Sequence, residues 1–223
     1  MRAAVLGLLL LIGAALPTSA QAMRCPVIGN QPQVEVQLIS KNTALNTQKP
    51  VRELKQLSAN SLGHQPLGLY LARFSGGVQI SYDLKREGDE VCVWITRVQV
   101  QLGYDDRTIY VGKEFEKDGC EYKAILSHEA KHAVTDDSVL AEYNGRFRRS
   151  VSDAAIASGM VGPLKRGYLD DAKQQLADGV QKAFRRTFDD FQGARDRAQK
   201  TVDTPEEYGR VKRICPGGFK FEN

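Results

Sequence analysis

Residues 108–134 read TIYVGKEFEKDGCEYKAILSHEAKHAV, and within this stretch the hydrophobic spacing changes from that of a strand to that of a helix. Residues 108–111 are β-branched and aromatic, which predicts a short strand after a turn at Asp105-Asp106. From Glu121 onward one face of a helix is indicated by side chains three to four residues apart: Ala124, Ile125, His128 and His132. The stretch therefore predicts a sheet that ends where a long helical region begins.

Alternating patterns upstream of this point predict a small antiparallel meander. Residues 34–39 alternate as one strand. Further strands are expected at residues 78–82 and 90–102, joined by a turn at Gly88-Asp89. The alternation of the longer strand slips near Thr96-Arg97, which predicts a β-bulge there.

The remaining patterns predict helices. Residues 51–57 hold at most one short helix. The N-cap residues Thr135-Asp136-Asp137 are expected to end the histidine-bearing helix and to start a second one, which runs to Gly159. A third, amphipathic helix covers roughly residues 164–201, and Thr204-Pro205 opens a last short one.

These elements predict an α+β fold with a small antiparallel sheet, then a helix that carries the histidines, then a helical C-terminal half. We expect one domain over residues 23–223, β-rich at 23–120 and helical at 121–223. The charged fraction of 26% and the hydrophobic fraction of 42% are typical of a globular protein and exclude wholesale disorder. A net charge of +4 gives no support for a nucleic-acid partner.

The N-terminal residues 1–22 resemble an export signal. Arg2 precedes an apolar run at residues 3–16, Pro17 ends the run, and Ala20-Gln21-Ala22 fits a small-x-small cleavage site. We therefore expect an exported protein, periplasmic or secreted, with no membrane anchor after the signal is removed. The alternative is an N-terminal anchor helix, for which the run is short.

Four cysteines would then meet an oxidising compartment, so structural disulfides are expected. Of the three possible pairings we favour Cys92–Cys120, from a strand to the start of a helix, with Cys25–Cys215 joining the two ends. No C-x-x-C spacing is present, so a thiolate zinc site has little support.

The sharpest chemical signal is His128-Glu129-Ala130-Lys131-His132. Residues four apart on a helix lie on one face, about 6 Å apart, so that both imidazoles can bind one metal ion. Glu129 lies beside them, where a carboxylate can take a proton from a metal-bound water. Apart from this pair the chain has only one histidine, His64.

At these residues the sequence resembles the zincin superfamily of metallopeptidases, and within it small predicted secreted zinc-dependent proteases of bacteria. Ile125-Leu126-Ser127 before the motif and Ala133-Val134 after it fit the extended pattern, whereas Lys131 occupies a position that is normally uncharged. The resemblance implies a Zn²⁺ cofactor, a sheet followed by the active-site helix, and an edge strand, here residues 108–111, that pairs with an extended peptide substrate.

The third zinc ligand is expected from a carboxylate beyond the motif. On an unbroken helix Asp136 would lie roughly 12 Å from His128 along the axis, so the chain is expected to turn near residues 135–137. The segment from Glu142 to Gly145 is similar to the ligand-bearing segment of gluzincins, which implies Glu142 as the ligand. Asp136, Asp137 and His64 remain rivals.

The function expected from this resemblance is zinc-dependent hydrolysis of peptide bonds in a peptide or protein substrate. Glu129 would act as general base, and Tyr143, next to Glu142, would stabilise an oxyanion. Two other classes stay open: a non-catalytic protein of the same fold that binds an envelope partner, and a helical interaction protein in which the motif is coincidental.

Overall fold

Two long strands, joined by a tight turn, form most of the sheet in the computed structural model, which describes residues 22–58 and 65–219. They are β3 (Gly68–Glu87) and β4 (Glu90–Val111). Two shorter strands precede them in the chain, β1 (Gln33–Leu38) and β2 (Ala44–Asn46). Gly88 has a φ of +59°, a conformation that costs glycine little, and the predicted turn at Gly88-Asp89 is confirmed. His64 and residues 1–21 of the predicted leader lie outside the described residues.

The β3–β4 pairing contains two bulges, one predicted and one not. Ser81 pairs with Arg97 and Tyr82 with Ile95, so Thr96 is the extra residue, as the slip in alternation predicts. Arg73 pairs with Asp106 and Phe74 with Tyr104, which makes Asp105 the extra residue of a second bulge. The predicted turn at Asp105-Asp106 is therefore wrong, because β4 continues through it.

The sheet is mixed, where an antiparallel one was expected. Since β3 covers one edge of β4 throughout, the remaining strands share the other edge. There β1 and β2 run parallel to β4, and β5 (Met160–Lys165) runs antiparallel to it. Strand direction depends on the path between strands, which hydrophobic alternation does not encode.

Four α-helices complete the described chain. The first, α1 (Val51–Leu57), is the predicted short helix. The second, α2 (Cys120–Ser158), is continuous over 39 residues, so the predicted break at residues 135–137 is wrong. The third and fourth helices are α3 (Leu169–Val202) and α4 (Pro205–Arg213). The third was predicted to begin near residue 164, but that residue belongs to β5. Thr204 caps α4 as predicted, with its hydroxyl accepting from the Glu207 backbone N–H at 3.1 Å.

The main core lies between the sheet and the antiparallel pair α2–α3. Its largest fully buried aromatic side chains come from the sheet, α2 and α3: Tyr104, Phe147 and Phe191. The aromatic rings of Phe74 and Phe191 are 4.3 Å apart between centroids, which fixes α3 against β3. This packing brings the C-terminal end of α3 beside the N-terminal half of α2. No described helix has the length and apolar character needed to cross a membrane.

The predicted disulfide pairing is wrong, although all four cysteines are bonded. The structure pairs Cys25 with Cys92 and Cys120 with Cys215. The first bond joins the N-terminal segment to β4, and the second joins the start of α2 to the residues after α4. Cys215 is bonded to Cys120 rather than to Cys25 because α4, which precedes it, packs on α2 and not on the N-terminal segment.

Candidate metal centre

The two histidines of the motif lie on the buried face of α2, as their spacing predicts. Their rings are 5.1 Å apart between centroids, and both side chains are buried. The Nε2 atoms point towards the junction of α3 and α4, where Asp203 is the first residue after α3. The ligand atoms of His128, His132 and Asp203 lie within 4.8 Å of one another.

The distances within this cluster fit a tetrahedral metal site. Asp203 Oδ1 lies 3.3 Å from His128 Nε2 and 3.2 Å from His132 Nε2. Ligands bonded at about 2.0–2.1 Å to one tetrahedral ion are about 3.3 Å apart. A charge-assisted hydrogen bond would be shorter, at about 2.7–2.9 Å. The spacing therefore corresponds to two edges of a tetrahedral metal site.

Hydrogen bonds on the far side of His132 leave its Nε2 available to a metal. His132 Nδ1 donates to Gln199 Oε1 at 2.5 Å, so in the neutral ring Nε2 carries the lone pair. That lone pair faces the oxygen of Asp203, another acceptor, so either a bound cation or a proton on Nε2 would make this contact favourable. His128 is arranged alike, with Nδ1 at 3.5 Å from Glu207 Oε1. Partners of this kind orient metal-binding histidines.

Asp136, a rival third ligand, is used to hold the site together. Its side chain is 0% exposed and accepts hydrogen bonds from Arg195 at 2.8 and 3.1 Å, from Gln199 at 2.5 Å and from Tyr70 at 3.0 Å. Gln199 therefore connects Asp136 to His132. A second rival, Asp137, forms an ion pair with Arg107 at 2.9 Å. Neither carboxylate belongs to the three-residue cluster.

Glu142 and Tyr143, predicted as ligand and oxyanion stabiliser, are not brought to the histidines. Because α2 is unbroken, Glu142 lies about 15 Å from His132 along the helix axis. Its side chain is 63% exposed and pairs with Arg146 at 3.0 Å. Tyr143 is buried in the core, where its hydroxyl donates to the Asp190 carbonyl at 3.2 Å.

Glu129 is buried beside the histidines, with 6% of its surface exposed. Burial disfavours the charged carboxylate and raises the pKa of Glu129 to about 7, although His128 and His132 act in the opposite direction. The Tyr70 backbone N–H also bonds to this carboxylate. A carboxyl group with a pKa near neutrality can both accept and release a proton at pH 7.

Asp203 is stabilised as an anion. Burial opposes its ionisation, but hydrogen bonds from His128, His132 and Tyr208 hold its pKa well below the usual range. The Tyr208 hydroxyl donates at 2.8 Å to Asp203 Oδ1, the same oxygen that faces the two histidines. For His132, burial is outweighed by contacts with Asp203 and Gln199, which raise its pKa.

Lys131, the departure from the zincin pattern, does not line the cavity beside the cluster. Its ammonium group pairs with Glu207 at 2.5 Å. Arg210 binds the same carboxylate at 2.7 Å. The hydrogen bond from Arg210, with that from Lys131, holds the pKa of Glu207 well below its usual range. The positive charge of Lys131 is thus compensated locally.

A cavity of about 1100 Å³ opens beside the cluster. His128, Glu129, His132, Asp203 and Tyr208 all line it. Its other walls are largely apolar and come from α1, β3, α2 and α4, with these side chains: Leu57, Leu67, Leu69, Ile125 and Val211. The acid–base and metal-binding groups therefore face a space large enough for several residues of a peptide.

The strand that borders this cavity is β3. Residues 108–111 form a strand, but the prediction that they are the edge strand of the cleft is wrong. Those residues pair with β2 on one side and with β3 on the other, so they are not an edge. Within residues 22–58 and 65–219, β3 pairs with no strand other than β4, and its residues Gly68–Leu71 line the cavity. The free edge next to the site therefore belongs to β3.

Gly68 allows this edge to approach α2 closely. A Cβ at this position would lie 2.7 Å from Glu129 Oε1 and would also meet the Ile125 side chain. We expect Gly68→Ala to lower the free energy of unfolding by about 1–3 kcal/mol, because the added methyl overpacks this contact. Urea unfolding measures the effect. Gly77→Ala on the same strand, where nothing lies within 4 Å, is the matched control, and equal losses in both variants would contradict the steric explanation.

Sequence reasoning missed Asp203, Glu207, Tyr208 and Gln199. The Thr204-Pro205 helix start marks a helix junction directly after Asp203, but this local signal does not say that the junction lies beside His128. Comparisons of this chain with protein-family models, with curated proteins and with solved structures gave no match.

Proposed function

We propose that this protein is an exported zinc-dependent hydrolase of peptide bonds. One observation carries the proposal: His128, His132 and Asp203 converge on one point, beside a buried Glu129, on the wall of a large cavity. Two imidazoles and one carboxylate are a common protein ligand set of catalytic zinc sites, which keep a fourth position for water or substrate. The two disulfides are consistent with export.

The ligand set suits Zn²⁺ because nitrogen donors and one anionic oxygen approach each other at tetrahedral distances. When bound, zinc lowers the pKa of a water molecule and polarises a carbonyl group. The chain's own contribution is to orient the ligands. Gln199 and Glu207 hold the two imidazoles from behind, and Tyr208 holds Asp203.

Glu129 is the proposed general base. Burial leaves its carboxylate poorly solvated, which favours its uptake of a proton from the nucleophilic water. The protonated Glu129 can later return this proton to the leaving amine. In place of Tyr143, the cavity wall presents Tyr208, whose ring lies 5.6 Å from the His128 ring. Its hydroxyl has a single proton, which it donates to Asp203, so we propose that it turns from Asp203 to the carbonyl oxygen under attack when substrate binds.

The substrate is proposed to bind as an extended peptide along β3. A free strand edge offers backbone donors and acceptors to a second strand, and the apolar cavity walls suit alternate side chains of such a strand. A coincidental motif is disfavoured, because a chance pair of histidines would not gather a carboxylate and orienting partners from two further helices.

Metal removal tests the proposal. Purified protein lacking residues 1–22 is expected to cleave members of a mixed peptide library, as detected by mass spectrometry. Treatment with a zinc chelator is expected to abolish cleavage, and equimolar Zn²⁺ to restore it, because the metal supplies the activated water. Cleavage that survives complete metal removal, or a zinc-loaded protein that cleaves no peptide of the library, would contradict the proposed function.

A further inference from the structure

The C-terminal strap, which we define as residues 203–215, covers the metal centre and ends in a disulfide. It begins with the ligand Asp203, continues through α4 and reaches Cys215, which is bonded to Cys120 at the start of α2. Cys120 lies on the same helix as the two histidines, eight residues before His128. The disulfide therefore closes the strap over the histidine-bearing part of α2.

Few other contacts hold the far end of the strap. A small apolar cluster joins Val211 and Cys215 to Ala124 of α2, with Phe219 packed against it. Nearer the metal centre, Glu207 pairs with Lys131 at 2.5 Å, and the Tyr208 ring lies against His128. The residues that orient His128 and Asp203 thus sit on a short helix whose distal anchor is largely the disulfide.

The two disulfides differ in accessibility. Cys120 is exposed, and its partner Cys215 is 6% exposed at the surface of the small cluster. In the other bond, Cys92 of β4 is 0% exposed, and Cys25 is half-buried. Thiol–disulfide exchange requires a thiolate to reach a sulfur atom, so the strap disulfide is the one open to attack.

We infer that the Cys120–Cys215 bond is a redox modification site through which a dithiol reductant of the thioredoxin class loosens the strap and weakens metal binding. A reductant thiolate attacks the exposed Cys120 sulfur, forming a mixed disulfide and releasing Cys215 as a thiolate that takes up a proton. The second thiol of the reductant then displaces Cys120, leaving two cysteine thiols in the protein and one disulfide in the reductant.

The consequence for the metal follows from the position of the strap. Once the bond is open, α4 is held to α2 by the small apolar cluster, the Glu207–Lys131 pair and the ring contact of Tyr208, while α3 keeps Gln199 and the start of the strap in place. The loss of outer partners of this kind typically weakens metal binding 10–100-fold. The inference rests on the metal site of the proposed function but not on hydrolysis.

The test measures zinc affinity by competition with a chromophoric chelator. Oxidised wild-type protein is compared with Cys120→Ser/Cys215→Ser and with the control Cys25→Ser/Cys92→Ser. The two bonds close loops of similar length, spanning 95 and 67 residues, so their general effects through the unfolded chain are similar. We expect about 10–100-fold weaker zinc binding in the first double variant only.

Limited reduction of the wild-type protein gives a second measurement that does not depend on the variants folding. Dithiothreitol followed by alkylation and mass spectrometry is expected to label Cys120 and Cys215 first, with circular dichroism unchanged and zinc affinity lowered. Earlier labelling of Cys25 and Cys92, loss of the fold on opening the strap bond, or unchanged zinc affinity in the opened protein would each overturn the inference. If oxidised wild type itself binds no zinc, the metal site fails instead.

Discussion

Replacing Asp203 by asparagine is expected to lower the zinc affinity of the protein roughly a thousandfold, because it removes the only anionic ligand. The total free energy of zinc binding in structural sites is about 10–16 kcal/mol, so one of three protein ligands accounts for roughly 4 kcal/mol. Asparagine keeps the size of the side chain and accepts from Tyr208 as aspartate does. The loss therefore reports on charge and coordination rather than on packing.

Glu142→Gln is the matched control for this prediction, because it also exchanges a carboxylate for an amide. The Glu142 side chain pairs with Arg146 and is largely exposed, so its replacement is expected to leave zinc affinity unchanged. Competition with a chromophoric chelator measures both variants. The assignment of Asp203 fails if the control loses zinc while Asp203→Asn keeps it, since Glu142 would then be the ligand.

The histidine pair is the part of the site that sequence predicts well. Its four-residue spacing fixes His128 and His132 on one face of a helix, and no tertiary information is needed for that conclusion. Most of β1, β3 and β4 was also predictable, including the bulge at Thr96, because alternation is a local property. Even the cap at Thr204 follows from its own neighbours.

The third ligand depends on tertiary packing, which local signals misrepresent. Thr135-Asp136-Asp137 has the composition of a helix start, yet α2 runs through it because Asp136 and Asp137 are bound by arginines from α3 and β4. Aspartate favours helix N-caps in local sequence, but here both aspartates form long-range ion pairs. The choice of Glu142 depended on this predicted break, because only a second helix that turned back would bring Glu142 to the histidines.

The disulfide pairing was beyond local reasoning for a similar cause. Cys120 and Cys215 are 95 residues apart in sequence, and they meet because α3 spans the length of α2 and α4 folds back at its end. The length of α3 therefore decides the position of both Asp203 and Cys215. One error in helix boundaries in this region changes the ligand set and the cysteine partners together.

Replacing Glu129 by glutamine is expected to lower kcat/KM for peptide cleavage by about 10²–10⁴-fold, which is the usual contribution of a general acid–base group. Glutamine cannot take a proton from water, but its amide oxygen can still accept from the Tyr70 backbone N–H. Zinc affinity is expected to stay unchanged, because Glu129 is not among the three clustered ligands. Burial disfavours a charged side chain here, so the neutral amide is not expected to lower the thermal midpoint.

This combination of results separates a catalytic role for Glu129 from a structural one. A side chain that merely supports the fold would lower the thermal midpoint or the zinc affinity when replaced, and activity would fall in proportion to the folded, zinc-loaded fraction. A general base instead lowers turnover in fully folded, fully loaded protein, with peptide binding retained. Steady-state kinetics, zinc titration and thermal unfolding on the same preparation distinguish the two, with Glu142→Gln treated alike. Wild-type turnover in Glu129→Gln would remove Glu129 from the mechanism, and the proton would then need another acceptor among the groups that line the cavity.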